Sequence, residues 1–272
     1  MRPTVADKRQ TFRELHHTGC FVIPNPWDAG SAAILQSLGF RALASSSAGM
    51  AWSQARPDYN VACDDVLAHL TALCAATDIP VNADFENGFA DDPDGVAANV
   101  ALAIETGVAG LSVEDSSWVE GDPLYEFDLS VARVATARKA IDDSGTNVFL
   151  TARSEGFFAG KPDFDDMLAR IKAYADVGAD CLYAPGLREE NQIAAVIEAV
   201  APKPVNVLTF GLSVEILAGL GTRRISVGGQ LARSAYADLH RVAADIAKTG
   251  EFGTIGGGKL NLNKLYEGYR EA

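Results

Sequence analysis

Four acidic side chains stand at the ends of two apolar segments of this 272-residue chain: Asp84 and Glu86 at one, Glu114 and Asp115 at the other. If both segments are parallel strands of one barrel, their carboxyl ends share a face and the carboxylates converge. Crowded carboxylates repel one another unless a cation lies between them. Oxygen ligands select a hard ion, so the cluster predicts a Mg²⁺ site, with Mn²⁺ as the alternative ion. The competing interpretation is that these acids cap helices or pair with an arginine.

Arg153 is the single cation at the end of a predicted strand. Its planar guanidinium suits a carboxylate or a phosphonate, although it could also serve only to neutralise the acids. The segment 45–49 reads Ser-Ser-Ser-Ala-Gly, and its amides and hydroxyls could form an anion cradle on the same face. Asn206, at the end of another predicted strand, is a further candidate substrate ligand.

The histidines and cysteines do not form a catalytic or metal pattern. All four histidines fall in predicted helices or in the N-terminal segment, which argues against a Ser-His-Asp triad and against a zinc site. The four cysteines are widely spaced without a C-x-x-C motif. We interpret them as reduced thiols and expect a cytoplasmic protein.

The elements that must position these residues alternate regularly along the chain. Continuous apolarity in short segments is typical of parallel strands covered on both faces. We predict eight strands at 20–24, 42–45, 80–84, 110–114, 147–151, 181–184, 204–208 and 224–228. Eight helices are predicted at 28–38, 64–76, 94–106, 130–142, 164–177, 189–199, 213–218 and 230–248. Eight strand–helix units favour a single closed (β/α)₈ barrel of the TIM type over an open doubly wound sheet.

Composition excludes several classes of protein. Lys and Arg number 23 against 36 Asp and Glu, and the net charge of −13 argues against nucleic-acid binding. No segment has the roughly 18 consecutive apolar residues of a membrane span, and the first 17 residues lack the apolar core of a signal peptide. We therefore expect a soluble protein whose partner is a small molecule.

Several segments, taken in order, resemble motifs of the isocitrate lyase/phosphoenolpyruvate mutase superfamily. Asn-Pro-Trp-Asp-Ala-Gly at 25–30 resembles its opening strand and helix, and the segment 45–49 resembles its substrate loop. Asp-Phe-Glu-Asn-Gly at 84–88 is similar to its D-x-D/E-x-G metal motif. The segments 111–115 and 151–154 match its later acidic and arginine motifs.

The resemblance implies a metal-dependent site. Mg²⁺ would be held by Asp84, with Glu86 and Glu114 acting directly or through water. Glu86 reaches further than the aspartate common at its position, which favours contact through water. A 2-oxo acid or a pyruvate enolate would chelate the metal.

The resemblance also implies how the substrate is held. Arg153 would grip a carboxylate while Ser46, Ser47 and Gly49 hold the other end. Asp58 resembles the acid of the family's gating loop; the alternative is a turn aspartate beside a proline. On this basis Arg153, Asp58 and Glu114 are the candidate catalytic residues.

The segment after the fourth strand departs from the family pattern. Isocitrate and methylisocitrate lyases carry a lid Cys there and phosphonomutases a lid Lys, but neither residue occurs between Glu114 and Arg133. We therefore predict a Mg²⁺-dependent lyase that cleaves a C–C bond beside the carbonyl of a small 2-oxo (di)carboxylic acid, as oxaloacetate decarboxylase does. The alternatives are a C–P bond enzyme, similar to phosphonopyruvate hydrolase or phosphoenolpyruvate mutase, and a catalytically silent dicarboxylate-binding barrel.

The C-terminal segment, residues 250–272, is interpreted as a glycine-rich linker followed by a helix over 262–269. Its short apolar face predicts docking on another subunit. The resemblance implies helix exchange in a homodimer or homotetramer, and the alternative is a helix folded back on its own barrel.

Overall fold

Eight parallel strands form the centre of the molecule, as the sequence predicts. A computed structural model describes residues 2–253, 255 and 260–267 of the chain. The strands follow the order β1-β10-β9-β8-β7-β4-β3-β2, and a short hairpin, β5-β6, stands apart. The end strands β1 and β2 approach closely enough for the Ala44 amide to donate to the Pro24 carbonyl oxygen (3.1 Å), so the barrel is nearly closed. The ten strands are β1 Phe21–Ile23, β2 Leu43–Ala44, β3 Val81–Asp84, β4 Gly110–Glu114, β5 Ser116–Val119, β6 Asp122–Leu124, β7 Phe149–Arg153, β8 Cys181–Tyr183, β9 Val205–Leu208 and β10 Arg224–Ser226.

Helices follow the barrel strands and cover the sheet from outside. The eight predicted helices are all present, close to their predicted bounds. Acidic and hydroxyl side chains begin several of them: the Asp92 carboxylate, for example, accepts from the Gly95 amide at the start of one helix. The helices are α1 Val5–Leu15, α2 Ala29–Ser37, α3 Ser47–Ser53, α4 Cys63–Ala76, α5 Pro93–Glu105, α6 Phe127–Asp143, α7 Phe164–Asp176, α8 Glu190–Val200, α9 Val214–Gly219, α10 Gln230–Thr249 and α11 Leu262–Tyr266.

Helix α1 was not predicted, because its charges mask a short apolar face. The Thr4 hydroxyl and the Asp7 carboxylate form a reciprocal capping box at its start. Phe12 is fully buried among the side chains at the amino ends of the strands. The Arg9 guanidinium donates to the Ile104 and Val108 carbonyl oxygens (2.7 and 3.0 Å). Helix α1 therefore closes the bottom of the barrel.

Two short elements at the opposite end of the barrel were also not predicted. The segment 45–49, interpreted as a loop, instead enters α3, whose start is capped by the Ser46 hydroxyl. The departure after the fourth strand forms the β5-β6 hairpin. Both elements are too short to show a periodic pattern in sequence.

The main hydrophobic core lies between the outer face of the sheet and the helices around it. Strands contribute buried residues such as Leu111, Val113 and Val205, and the surrounding helices contribute residues such as Ile171. Inside the barrel, by contrast, polar side chains are frequent, among them Asn82, Ser112 and Asn206. Within the described part of the chain, no helix has the length and apolarity needed to cross a membrane.

The C-terminal elements differ in how they contact the barrel. Helix α11 lies beside α2, and the Tyr266 hydroxyl donates to the Gly30 carbonyl oxygen (3.3 Å). Tyr269, part of the predicted helical face, lies outside the described residues, as do most of residues 254–259. Helix α10 has 20 residues, yet among them only Ala232 is buried, and Leu239 is 64% exposed. The long helix with an uncovered apolar face is thus α10.

Candidate active site

The candidate site is a cavity of about 290 Å³ that opens at the carboxyl ends of the strands and extends down into the barrel. This is the end at which side chains of several strands converge in a barrel of this kind. Six predicted site residues line it: Ser46, Ser47, Asp58, Asp84, Arg153 and Asn206. The barrel topology alone brings them together, since they come from five separate segments of the chain.

Arg153, the last residue of β7, is surrounded by carboxylates. Its Nη1 lies 3.2 Å from Asp84 Oδ1 and 3.0 Å from Glu114 Oε2, and its Nε donates to Glu155 Oε1. Although burial acts in the opposite direction, Glu114 and Glu155 hold the pKa of Arg153 well above its usual value. In the described residues Nη2 has no hydrogen-bond partner, so this nitrogen remains available to a ligand in the cavity. Both functions considered for Arg153, neutralising the acids and gripping an anion, are compatible with this geometry.

Asp84 is the carboxylate best placed to face a ligand. Its Oδ2 accepts from the Ser47 amide and hydroxyl (3.0 and 2.9 Å), and its side chain is 19% exposed. Asp58 lines the same cavity beside Ser47, and burial together with the Asp84 charge raises the pKa of the Asp58 carboxyl. The predicted acid of the loop after strand β2 is therefore at the site.

Glu86 and Glu114 lie behind this surface. Burial, reinforced by Asp84 and Asp58, raises the pKa of Glu86 to about 8. Burial also raises the pKa of Glu114, while Arg153 acts against the increase. The Glu114 amide donates to the Glu86 carbonyl oxygen (3.0 Å), and Glu86 has a left-handed backbone (φ 46°). Such strain in a residue other than glycine is concentrated at functional sites.

An aromatic pair covers the acids. The rings of Tyr59 and Trp118 lie 3.7 Å apart between centroids, and the Trp118 indole N–H donates to Glu114 Oε1 (3.0 Å). Both residues have positive φ, 61° and 54°, so two strained turns hold the pair in place. Burial raises the pKa of the Tyr59 hydroxyl, which stays protonated. The β5-β6 hairpin thus presents an indole to the acids, and residues 116–124 include neither Cys nor Lys.

The expectation that Asp115 joins the acid cluster was wrong. Successive strand residues point to opposite faces, so Asp115 faces away from its neighbour Glu114. Its carboxylate accepts from the Tyr174 hydroxyl (2.7 Å) and the Glu155 amide (2.7 Å), and lies 3.5 Å from Arg170 Nη1. This buried network holds the backbone of Glu155 beneath Arg153.

The loop predicted to cradle an anion is largely bonded to the protein itself. The Ser46 hydroxyl accepts from the Gly49 amide, and Ser47 donates to Asp84. Gly49 is buried, and a Cβ there would lie 2.7 Å from Trp27 Cβ and 3.2 Å from Ala232 Cβ. The glycine is required by this close packing, and Ser46 and Ser47 remain the loop side chains that face the cavity.

The donor set fits a hard cation bound mainly by one carboxylate. Among the described residues, no group of three or more His, Cys, Asp or Glu side chains is arranged to hold a metal together. Asp84 faces the cavity, and Oε2 of the buried Glu114 lies 3.0 Å from Arg153 Nη1. Mg²⁺ commonly takes one or two carboxylates and completes its shell with water and substrate oxygens, so these residues fit it.

Sequence reasoning missed Arg224, which also lines the cavity. It stands at the start of β10, two residues before Ser226, and the two side chains share a face of the strand. The pair Arg223-Arg224 could have indicated it, because successive side chains of a strand point to opposite faces and one of two adjacent arginines therefore points into the barrel. Asn206, a predicted ligand, accepts from Arg224 Nε (2.9 Å) and donates to the Ser226 hydroxyl (2.9 Å).

Comparison with known proteins identifies the family of the chain. Residues 12–247 match the family model described as phosphoenolpyruvate phosphomutase. An uncharacterized Mycobacterium tuberculosis protein is 32% identical over 238 residues, 86% of this chain and 88% of its own. A Corynebacterium glutamicum protein named as a probable 2-methylisocitrate lyase is 30% identical (84% and 76% covered). Oxaloacetate decarboxylase of Pseudomonas putida is 28% identical (82% and 78%).

Solved structures share the whole fold. A Burkholderia cenocepacia protein, described only at the level of lyase/mutase, is 44% identical with a TM-score of 0.93 (97% and 96% covered). Phosphonopyruvate hydrolase in complex with oxalate and Mg²⁺ has a TM-score of 0.83 at 21% identity (95% and 94%). At that identity the second likeness concerns the fold alone.

Proposed function

From the membership of this chain in the phosphoenolpyruvate phosphomutase family, within a superfamily of carbon–carbon lyases and mutases, we propose that it is a Mg²⁺-dependent lyase for a small 2-oxo dicarboxylic acid, with oxaloacetate decarboxylation as the model reaction. One observation carries the proposal. The cavity holds Asp84 and Arg153, whose Nη2 has no hydrogen-bond partner among the described residues, beneath a hairpin that offers an indole and no thiol or amine.

The absence of a thiol or an amine from the β5-β6 hairpin favours some reactions of the family over others. Cleavage of an isocitrate-type substrate leaves a carbanion that needs a proton donor on the enzyme. In decarboxylation, the bond to the leaving carboxylate breaks, CO₂ departs, and the electron pair moves into the 2-oxo group to give an enolate. Water can then protonate the released enolate on carbon. A hairpin without a thiol or an amine above the cavity therefore suits decarboxylation.

The side chains of the cavity have separate tasks in this reaction. Nη2 of Arg153 binds a substrate carboxylate, and the positive charge of the guanidinium favours the negative charge that develops beside it. Ser46 and Ser47 face the bound acid, and Asp58 lies beside them. The Tyr59–Trp118 pair excludes bulk water, which strengthens the electrostatic interactions beneath it.

Asp84 would hold Mg²⁺, with Glu86 and Glu114 acting through water from behind it. When bound, Mg²⁺ supplies a Lewis-acid charge beside the 2-oxo group. Since Arg153 already lies between these carboxylates, the cation and the guanidinium share the same acidic cluster.

Calorimetric titration with oxalate, in the presence and absence of Mg²⁺, tests the proposal. We expect oxalate to bind only with the metal, and Asp84→Asn to abolish that binding. Asp128→Asn, on the exposed first turn of α6, is the matched control and should leave it unchanged. Oxaloacetate should be decarboxylated and isocitrate left intact. Binding of oxalate that is indifferent to Mg²⁺ would refute the proposal, and turnover of phosphonopyruvate in place of oxaloacetate would assign the site to C–P chemistry.

We further propose that the protein is a homo-oligomer in which α10 packs against a neighbouring copy. Exposed Leu231 and Leu239 lie on this helix, and 19 of its 20 residues are not buried on their own barrel. Such a helix gains little stability by itself, because most helical stability in proteins comes from packing of the apolar face. Exchange of the C-terminal segment remains part of this proposal.

A further inference from the structure

We propose that Arg224 forms the floor of a second carboxylate subsite, which receives the far carboxylate of a dicarboxylic substrate. The inference rests on the proposed function for the identity of the ligand. It concerns the deep end of the cavity, below the acids and Arg153.

The charge of Arg224 has no acidic partner among the described residues. Its side chain is buried, and its contacts are all neutral: Nε donates to Asn206 Oδ1 (2.9 Å), Nη2 to the Thr151 hydroxyl (3.0 Å), and Nη1 lies 3.5 Å from His16 Nε2. A guanidinium has five N–H groups, so two of them remain without an acceptor here. A buried cation without a counter-ion is unfavourable, whereas an anion beside it removes the penalty.

The residues beneath Arg224 determine from which direction an anion can reach it. His16 Nδ1 donates to the Phe12 carbonyl oxygen (2.7 Å), and Nε2 faces the Arg224 guanidinium, which can only donate, so Nε2 is the acceptor and the ring is neutral. The His16 ring stacks on Phe149 at 4.1 Å, and Phe12 and Phe21 pack edge-on against it. This aromatic layer seals Arg224 from solvent at the bottom of the barrel. The counter-charge must therefore enter from the cavity above.

The walls between the two arginines suit a polar ligand. Asn82, Ser112 and Ser226 line the cavity at this depth, and Asn82 Oδ1 is buried without a partner. Thr151, which accepts from Arg224, stands two residues before Arg153 on β7, a rise of roughly 7 Å along the strand. A diacid can thus present one carboxylate to Arg153 and extend the other towards Arg224.

Selectivity between diacids and monoacids provides the test. The probes are malonate, succinate and glutarate, each compared with the monoacid of the same carbon number, by calorimetry on the full-length protein with Mg²⁺. We expect at least one diacid to bind roughly tenfold or more tightly than its monoacid, and Arg224→Gln to remove this preference. Arg223→Gln, on the neighbouring arginine, is the control and should retain it. Mg²⁺-dependent oxalate binding should persist in both variants, since oxalate does not reach the floor.

The outcomes separate the two proposals. If the wild type prefers diacids and Arg224→Gln prefers them equally, Arg224 is a structural residue and the inference fails. Chloride that competes as well as a diacid would likewise overturn it, by showing a general anion site. Loss of oxalate binding in the wild type would instead contradict the proposed function. If Arg224→Gln does not fold, Arg224→Lys replaces it, because lysine keeps the charge but lacks the planar guanidinium donors. The subsite would be refuted if Arg224→Lys kept the diacid preference and diacids gave the wild type no thermal stabilisation.

Discussion

His16 provides a quantitative test of the seal at the bottom of the barrel. Burial, followed by the nearby Arg224 charge, lowers the pKa of His16 from 6.5 to about 2. The folded protein therefore keeps this imidazole neutral at pH values where the unfolded chain binds a proton. Because the folded-state pKa is the lower one, the stability that His16 contributes is full above pH 6.5 and is lost as the pH falls.

The magnitude follows from proton linkage. Each pH unit below 6.5 costs about 1.4 kcal/mol of unfolding free energy for one such group, hence about 2 kcal/mol between pH 6.5 and about pH 5. His69 contributes in the same direction, because burial lowers its pKa to about 4. The contribution of His16 alone therefore has to be obtained as a difference from a variant.

Urea denaturation of the wild type and His16→Gln between pH 7 and about pH 5 measures that difference. The glutamine amide retains a donor and an acceptor but binds no proton. We expect the wild type to lose about 2 kcal/mol more than the variant over this range. His17→Gln, at the exposed neighbouring position, is the control and should follow the wild type. Parallel pH profiles for the wild type and His16→Gln would show that water reaches the ring, and the sealed floor would have to be abandoned.

Three other perturbations test the upper site and the assembly. Arg153→Met leaves the buried Glu114 and Glu155 without their counter-charge, so urea denaturation at pH 7 should show a loss of about 3–5 kcal/mol, and a loss below about 1 kcal/mol would contradict the ion-pair cluster. Trp118→Phe keeps an aromatic ring but removes the N–H that donates to Glu114. Thermal unfolding should show that the free energy of unfolding decreases by about 1 kcal/mol. An unchanged transition would mean that this hydrogen bond does not contribute to stability. Leu239→Glu, on the exposed face of α10, should give a smaller particle by light scattering at unchanged helical content, whereas the wild-type mass would exclude this face from the interface.

The regular part of the fold followed from local sequence patterns. Continuous apolar segments predict buried parallel strands, and helix caps and terminal glycines mark the helices between them. Eight such units suffice to predict the barrel, and the barrel predicts that strand ends converge. For that reason Asp84, Arg153 and Asn206 could be assigned to one site before any contact was known.

The tertiary structure decided what each of these residues faces, because charge balance and burial depend on neighbours distant in sequence. Asp115 follows Glu114 directly but belongs to another network, since strand alternation turns it towards Arg170. In sequence Arg224 is only the first residue of a short strand, and its burial becomes evident when α1 is seen to close the barrel beneath it. Helix α1 and the β5-β6 hairpin were not predicted, because their stability depends on the surfaces that they cover. The periodicity of a short segment does not indicate which surfaces those are.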